Sequence, residues 1–197
     1  MRKPRRTTQS RHRIYKKRRF PIDKIRRFLE PGPVVLVTSR YREHTNIMTM
    51  GWHIVLETDP SLVGCYIWTR NHSFDILRRS KQCVINIPTA DLAKTVVDIG
   101  NSSGRAIDKF TTFGLTPTAA TIVDAPLIGE CFASIECKLV DASLIRKYSF
   151  FVWQVVAAHA PRSPAYPPRT LHYTGDGVFM ISGKHLDLSA RFKPEML

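Results

Sequence analysis

Three short segments carry polar chemistry where strand interiors are ordinarily apolar: T45-N-I-M-T-M-G-W52, R70-N-H-S73 and S103-G-R-A-I-D-K109-F. Between them they supply amide, hydroxyl, indole and ammonium groups. That set suits a planar, phosphate-bearing cofactor, which needs hydrogen bonds along its edge, an aromatic wall and a cation for its tail. Ser73 stands just before the apolar run F74-D-I-L-R-R79, at the N-cap position. A helix N-terminus with a free hydroxyl is also a ready anion site. An ammonium such as that of Lys109 is a compact point charge suited to phosphate, although a lone D-K-F reads equally as a lysine on an exposed turn. The small residues Ser102, Ser103 and Gly104 allow close backbone approach. Met48, Met50 and Trp52, taken alone, read as core residues of a strand. Asn86 lies among apolar strand residues and needs a partner if buried. A cofactor and a neighbouring loop backbone are equal candidates for that partner.

The elements that must position these groups are mostly strands. Runs at 34–40, 45–52, 61–68, 83–87, 131–140 and 150–159 are rich in β-branched and aromatic residues. A hairpin is centred on Gly175-Asp176-Gly177. Helical spacing marks 22–29, 74–79 and 91–98, with a short amphipathic piece at 107–113. In 131–140, Cys131, Ala133, Ile135, Cys137 and Leu139 share one side, and Ser134, Glu136 and Lys138 the other. Many strands with few peripheral helices predict a mainly β barrel or sandwich instead of a doubly wound sheet.

The chain has 197 residues, with 30 Lys+Arg against 16 Asp+Glu. Residues 1–20 hold ten of the basic residues and no acid, leaving 20 basic and 16 acidic residues elsewhere. The reading is a basic, disordered arm at 1–19 and a single, nearly neutral domain at 20–197. Such an arm attracts polyanions through counterion release. A nucleic-acid-binding protein with the barrel as scaffold is therefore the alternative function. No apolar segment follows the basic start, so neither a secretory nor a twin-arginine signal is predicted, and no run is long enough to cross a membrane. Cys65, Cys83, Cys131 and Cys137 form no C-x-x-C pair and lie in apolar runs, which fits a reducing cytoplasm.

Other chemistries fit poorly. His72, His159, His172 and His185 lack metal-ligand spacing with one another or with the cysteines. G100-N-S-S-G104 matches the nucleophile elbow of hydrolases, with Asp124 and His159 following in order. Yet a helix precedes it and no alternation of strands and helices surrounds it. G175-D-G-V-F-M180 breaks the dinucleotide fingerprint at its last position. Cys65 leads toward Arg70 and is a candidate redox group near the cofactor, with no resolving cysteine beside it in sequence.

From about Tyr15 onward the chain resembles the flavin reductase-like family of FMN-binding split-barrel proteins, which includes flavoredoxin. The resemblance rests on the three segments above in one order with F28-L-E-P-G-P-V-V-L-V-T-S39, V84-I-N-I-P88, A125-P-L-I-G-E-C131 and L171-H-Y-T-G-D-G-V-F-M180. It implies a Greek-key split β-barrel that forms a homodimer with FMN at the interface. It sets Thr45, Asn46, Met48, Thr49, Trp52, Asn71, Ser73, Ser103 and Lys109 around the cofactor, with the Lys109 ammonium on the phosphate. It also implies an oxidoreductase fed by NAD(P)H or by a redox partner protein. No side chain has to act as general acid or base, because hydride transfer demands none, and no catalytic residue is assigned. R40-Y-R-E-H44 departs from the pattern, being bulkier and more charged than a loop there need be.

Overall fold

The computed structural model describes residues 32–161 and 168–193; the basic arm and the helix read at 22–29 lie outside the described residues. Strand β1 (Val35–Tyr41) alternates Val35 and Val37 on one face with Leu36 on the other, and both faces are buried. A tight turn, with Arg42 at φ 55°, returns it as β2 (His44–Met50). Strands β3 (His53–Thr58), β4 (Ser61–Tyr66), β5 (Gln82–Ile87), β8 (Ala133–Asp141) and β9 (Phe150–His159) complete the main sheet. All its pairings are antiparallel, in the order β2-β1-β5-β8-β9-β4-β3. The two edge strands, β2 and β3, follow one another in the chain through Gly51 and Trp52. The sheet is thus open there, in keeping with the split barrel that the resemblance implies. Two small ladders sit beside it: β6 (Pro117–Thr118) with β7 (Leu127–Ile128), and β10 (Leu171–Gly175) with β11 (Val178–Ile181).

Helices flank the sheet. On one face α1 (His72–Ser80) buries Ile76 and Leu77, and the core of that side holds Val35, Met50, Phe151 and Trp153. On the other, α2 (Ala93–Asn101) and α3 (Lys109–Phe113) bury Val96, Ile99 and Phe110 against Leu36 and Ile47. The short α4 (Ile145–Tyr148) leads into β9. The 175–177 hairpin is present, with Gly175, Asp176 and Gly177 all at positive φ.

Four features that the sequence left unread or open have physical causes. β3 has no predicted counterpart because Ile54, Val55 and Leu56 form an exposed apolar run with no alternation to betray it. The polar side of 131–140 is not solvated: Glu136 is fully buried and accepts hydrogen bonds from Thr121, Ile122 and Val123 backbone and from His159. Asn86 is spoken for by its surroundings, donating to the Leu36 carbonyl and accepting from the Ile128 backbone and the Ser134 hydroxyl. It belongs to the sheet's internal polar network. Cys65 likewise sits in the core, 1% exposed, and burial, aided by Cys137, pushes its thiol pKa up. A thiol so held is a packing group and not a redox centre.

Candidate functional site

The three polar segments converge. β2 brings Asn46, Met48 and Thr49; the N-terminus of α1 brings Asn71 and Ser73; the loop after α2 and the start of α3 bring Ser103 and Lys109. They border one cavity of about 220 Å³. Thr45 and Trp52 fall outside it. Thr45 borders a neighbouring polar cavity with Arg105. Trp52, 49% exposed where β2 ends, stands against Tyr66 at 5.1 Å between centroids. It borders two adjoining cavities, one of about 460 Å³ with Tyr66 and Trp68, the other of about 410 Å³ with Val96, Tyr173 and Phe179.

Ser73 is not the N-cap. The turn in which Asn71 N–H donates to the Trp68 carbonyl starts the helix earlier, making Asn71 the cap, without a side-chain capping bond. Ser73 is instead buried in the first turn, where its hydroxyl accepts from Asn46 Nδ2 at 2.7 Å. The other end of that amide, Asn46 Oδ1, is buried and has no hydrogen-bond partner among the described residues. A buried polar atom left without a partner is costly. Gly104 lies against it so closely that a Cβ there would overlap Asn46 Oδ1.

Lys109 is 5% exposed, and its ammonium donates to the carbonyls of Ile47 and Ile99, each at 2.8 Å. No carboxylate among the described residues pairs with it. Asp108, the nearest acid in sequence, caps α3 through Phe110 and Thr111. Burial lowers the Lys109 pKa to about 8. The ammonium has three donors and two acceptors. A third N–H is thus left without an acceptor among the described residues.

His72 and Arg105 complete the cationic end and were not read from sequence. Arg105 Nε donates to His72 Nδ1 at 3.2 Å, so the His72 proton sits on Nε2, which lies 2.7 Å from His44 Nε2. Burial, then His44, Arg105 and Lys109, lowers the His72 pKa. Arg70 lies 5.3 Å over the Trp68 ring at the cavity's edge. His72 stood inside R70-N-H-S73, where only its place on the fold reveals its partners.

The hydrolase constellation does not assemble: Ser102 Oγ donates to the Ile99 carbonyl, Asp124 pairs with Gln82, and His159 pairs with Glu136. No group of three or more metal-ligating side chains occurs among the described residues.

A sequence model of the flavin reductase like domain matches residues 26–181. The chain belongs to this flavin reductase-like family. The Escherichia coli K12 protein YddH is 30% identical over 177 residues, covering 81% of this chain and 92% of that one. Among solved structures, flavoredoxin of Desulfovibrio vulgaris (Miyazaki F) is similar at a TM-score of 0.74 and 23% identity, covering 82% of this chain and 93% of that one. The FMN-binding protein of Thermus thermophilus, solved with bound 1-cyclohex-2-enone, is similar at a TM-score of 0.73 and 21% identity, covering 89% and 99%. The fold is thus that of split-barrel FMN-binding proteins. Among the described residues no helix is long and apolar enough to cross a membrane.

The site fits a flavin mononucleotide. The partnerless Asn46 oxygen, the buried Lys109 ammonium without a carboxylate and the uncapped first turn of α1 are all groups that a polar, anionic ligand would satisfy.

Proposed function

We propose that this protein is a flavin-dependent oxidoreductase that binds FMN and passes electrons from NAD(P)H or a redox partner protein. One observation carries the reading: a cavity where a buried, carboxylate-free ammonium meets an uncapped helix N-terminus and a partnerless buried amide oxygen. Lys109, Ser73 and the first turn of α1 would hold the phosphate. Asn46, Met48 and Thr49 would flank the chain that leads from it, with Asn71 and Ser103 on the opposite wall. Trp52 would form the aromatic wall of the ring. Bound FMN would supply the redox chemistry, accepting a hydride and passing electrons on. The protein positions and shields it, and no side chain here is asked to move a proton.

The reading extends to a homodimer. Trp52, Ile54, Val55 and Leu56 form an exposed apolar tract along the sheet edge beside the site, the kind of surface that a partner covers. The four free cysteines suit a reducing, cytoplasmic setting.

The test is the visible spectrum of the protein mixed with FMN, followed by NADH or NADPH without oxygen. Flavin bands that shift on binding and bleach with one donor support the reductase reading and name the donor. Bands that bind but persist point to a carrier fed by another protein. A protein that binds no FMN removes the reading.

A further inference from the structure

Three basic side chains at the cationic end hold one another in a hydrogen-bonded chain, and its geometry fixes where the protons are. An arginine nitrogen can only donate. His72 Nδ1, 3.2 Å from Arg105 Nε, is therefore an acceptor and bears no proton. The one proton of a neutral His72 is then on Nε2, which donates it to His44 Nε2 at 2.7 Å. His44 Nε2 is an acceptor in turn, so the proton of that ring is on Nδ1. Both rings are neutral in this chain. A further proton on His72 Nδ1 would face the Arg105 N–H, and one on His44 Nε2 would face the His72 N–H. Either breaks a bond of the chain.

The surroundings also keep His72 neutral. Burial, then His44 from β2, Arg105 from the loop after α2 and Lys109 from α3, hold its pKa below the ordinary 6.5. Arg70 borders the same cavity. Asp75 on α1 acts the other way, but it pairs with Arg78. Glu43 and Asp108 border the neighbouring polar cavity, together with Arg40, His44 and Arg105. Glu43 lies 3.9 Å from Arg40, and Asp108 caps α3. The balance at His72 is positive, and a phosphate dianion would reverse it. His44 itself comes from R40-Y-R-E-H44, the turn that departs from the family pattern.

Resting on the flavin reading above, we propose that His72 is a proton-coupled ligand of the phosphate. The free site holds it neutral, latched to Arg105 and His44. As the phosphate enters, one proton from solvent adds at His72 Nδ1. The bond from Arg105 is given up, and the imidazolium and the guanidinium turn their N–H groups to phosphate oxygens. The proton is taken up in binding and not in electron transfer. FMN binding thus draws a proton into the site, and by linkage affinity rises as pH falls through the range where His72 titrates.

Isothermal titration of FMN into the full chain near pH 6.5, in two buffers of different ionisation enthalpy, counts the protons. Lys109, with its pKa of about 8, is already charged there. The FMN phosphate, which titrates at about pH 6, would by itself release protons on binding as the dianion. Net uptake by the wild-type protein is the expected result. His72→Gln replaces the ring by an amide that cannot be protonated, and it is expected to take up about half a proton less. The wild-type advantage in FMN affinity then grows about threefold from near pH 7 to near pH 6. Riboflavin, which lacks the phosphate, draws in no proton. Proton release or no exchange in the wild-type protein overturns the proposal, as does equal uptake by His72→Gln or with riboflavin. A protein that binds no FMN overturns the flavin reading itself, and this proposal with it.

Discussion

Lys109 shows how a single residue changes meaning with its surroundings. In sequence it is one lysine in D-K-F; in the fold it is a buried cation held by two carbonyls. Its pKa of about 8 gives the site a pH dependence. Burial disfavours the charged form, so the ammonium present below pH 8 gives up its proton as the pH rises through that value. FMN affinity is therefore expected to be level just below pH 8 and to fall above it, measured by titration across that range. Lys109→Gln should flatten the profile and weaken FMN binding about tenfold or more, the size of a charge-assisted hydrogen bond. Gly104→Ala makes a separate prediction. Its new methyl displaces the Asn46 amide from Ser73, so FMN affinity falls several-fold, and the lost buried hydrogen bond lowers the thermal midpoint of the flavin-free protein by about 2–4 °C. Isothermal titration and a melting curve separate the two effects. The residue types at 45–52, 70–73 and 103–109 were legible as a polar, anion-binding set. The Asn46–Ser73 bond and the His44–His72–Arg105 chain were not, because they join residues from different elements.

Among the elements, β8 is the instructive one. Its alternation was readable, but on the side that reads as polar Glu136 is covered by residues 121–123, which it holds by hydrogen bonds. Burial acts to raise the Glu136 pKa, yet hydrogen bonds from Thr121, His159 and Ile122 hold it down at about 2. The sign follows directly. A carboxylate whose folded pKa is depressed contributes stability that is full above its ordinary value of 4.5 and is lost as pH falls toward 2. Glu136→Gln should cost about 2–3 kcal/mol at neutral pH, since a charged acceptor of several donors is replaced by an amide. It should also shrink the loss of stability between pH 4.5 and 2. Urea unfolding of both proteins at the two ends of that window measures it. Strands β1, β5 and β9 were legible because they are apolar on both faces and rich in β-branched residues. β3 was not, because its apolar side chains face outward, where no periodicity arises.

At the scale of the molecule, two surfaces remain to be used. The exposed run Ile54-Val55-Leu56 at the sheet edge, with Val55 69% exposed, is the expected dimer seam. Val55→Asp should convert a particle of twice 22.5 kDa into one of 22.5 kDa in sedimentation, with loss of flavin content if the partner completes the site. The other is the charge of residues 1–19. Its deletion should abolish salt-dependent binding to a polyanion such as heparin and leave FMN affinity unchanged. Lost flavin affinity on deletion would mean that the arm and the domain are not separable. The sequence by itself determined the mainly β architecture, the family and the chemical character of the site, because strand patterning and residue types are local properties. Only the tertiary structure decided that the sheet stays split between β2 and β3, and that Lys109 lies buried with no carboxylate partner among the described residues. Each of those depends on which residues distant in the chain are brought together, and burial sets the charge, the partner and the cost of every polar group only once that packing exists.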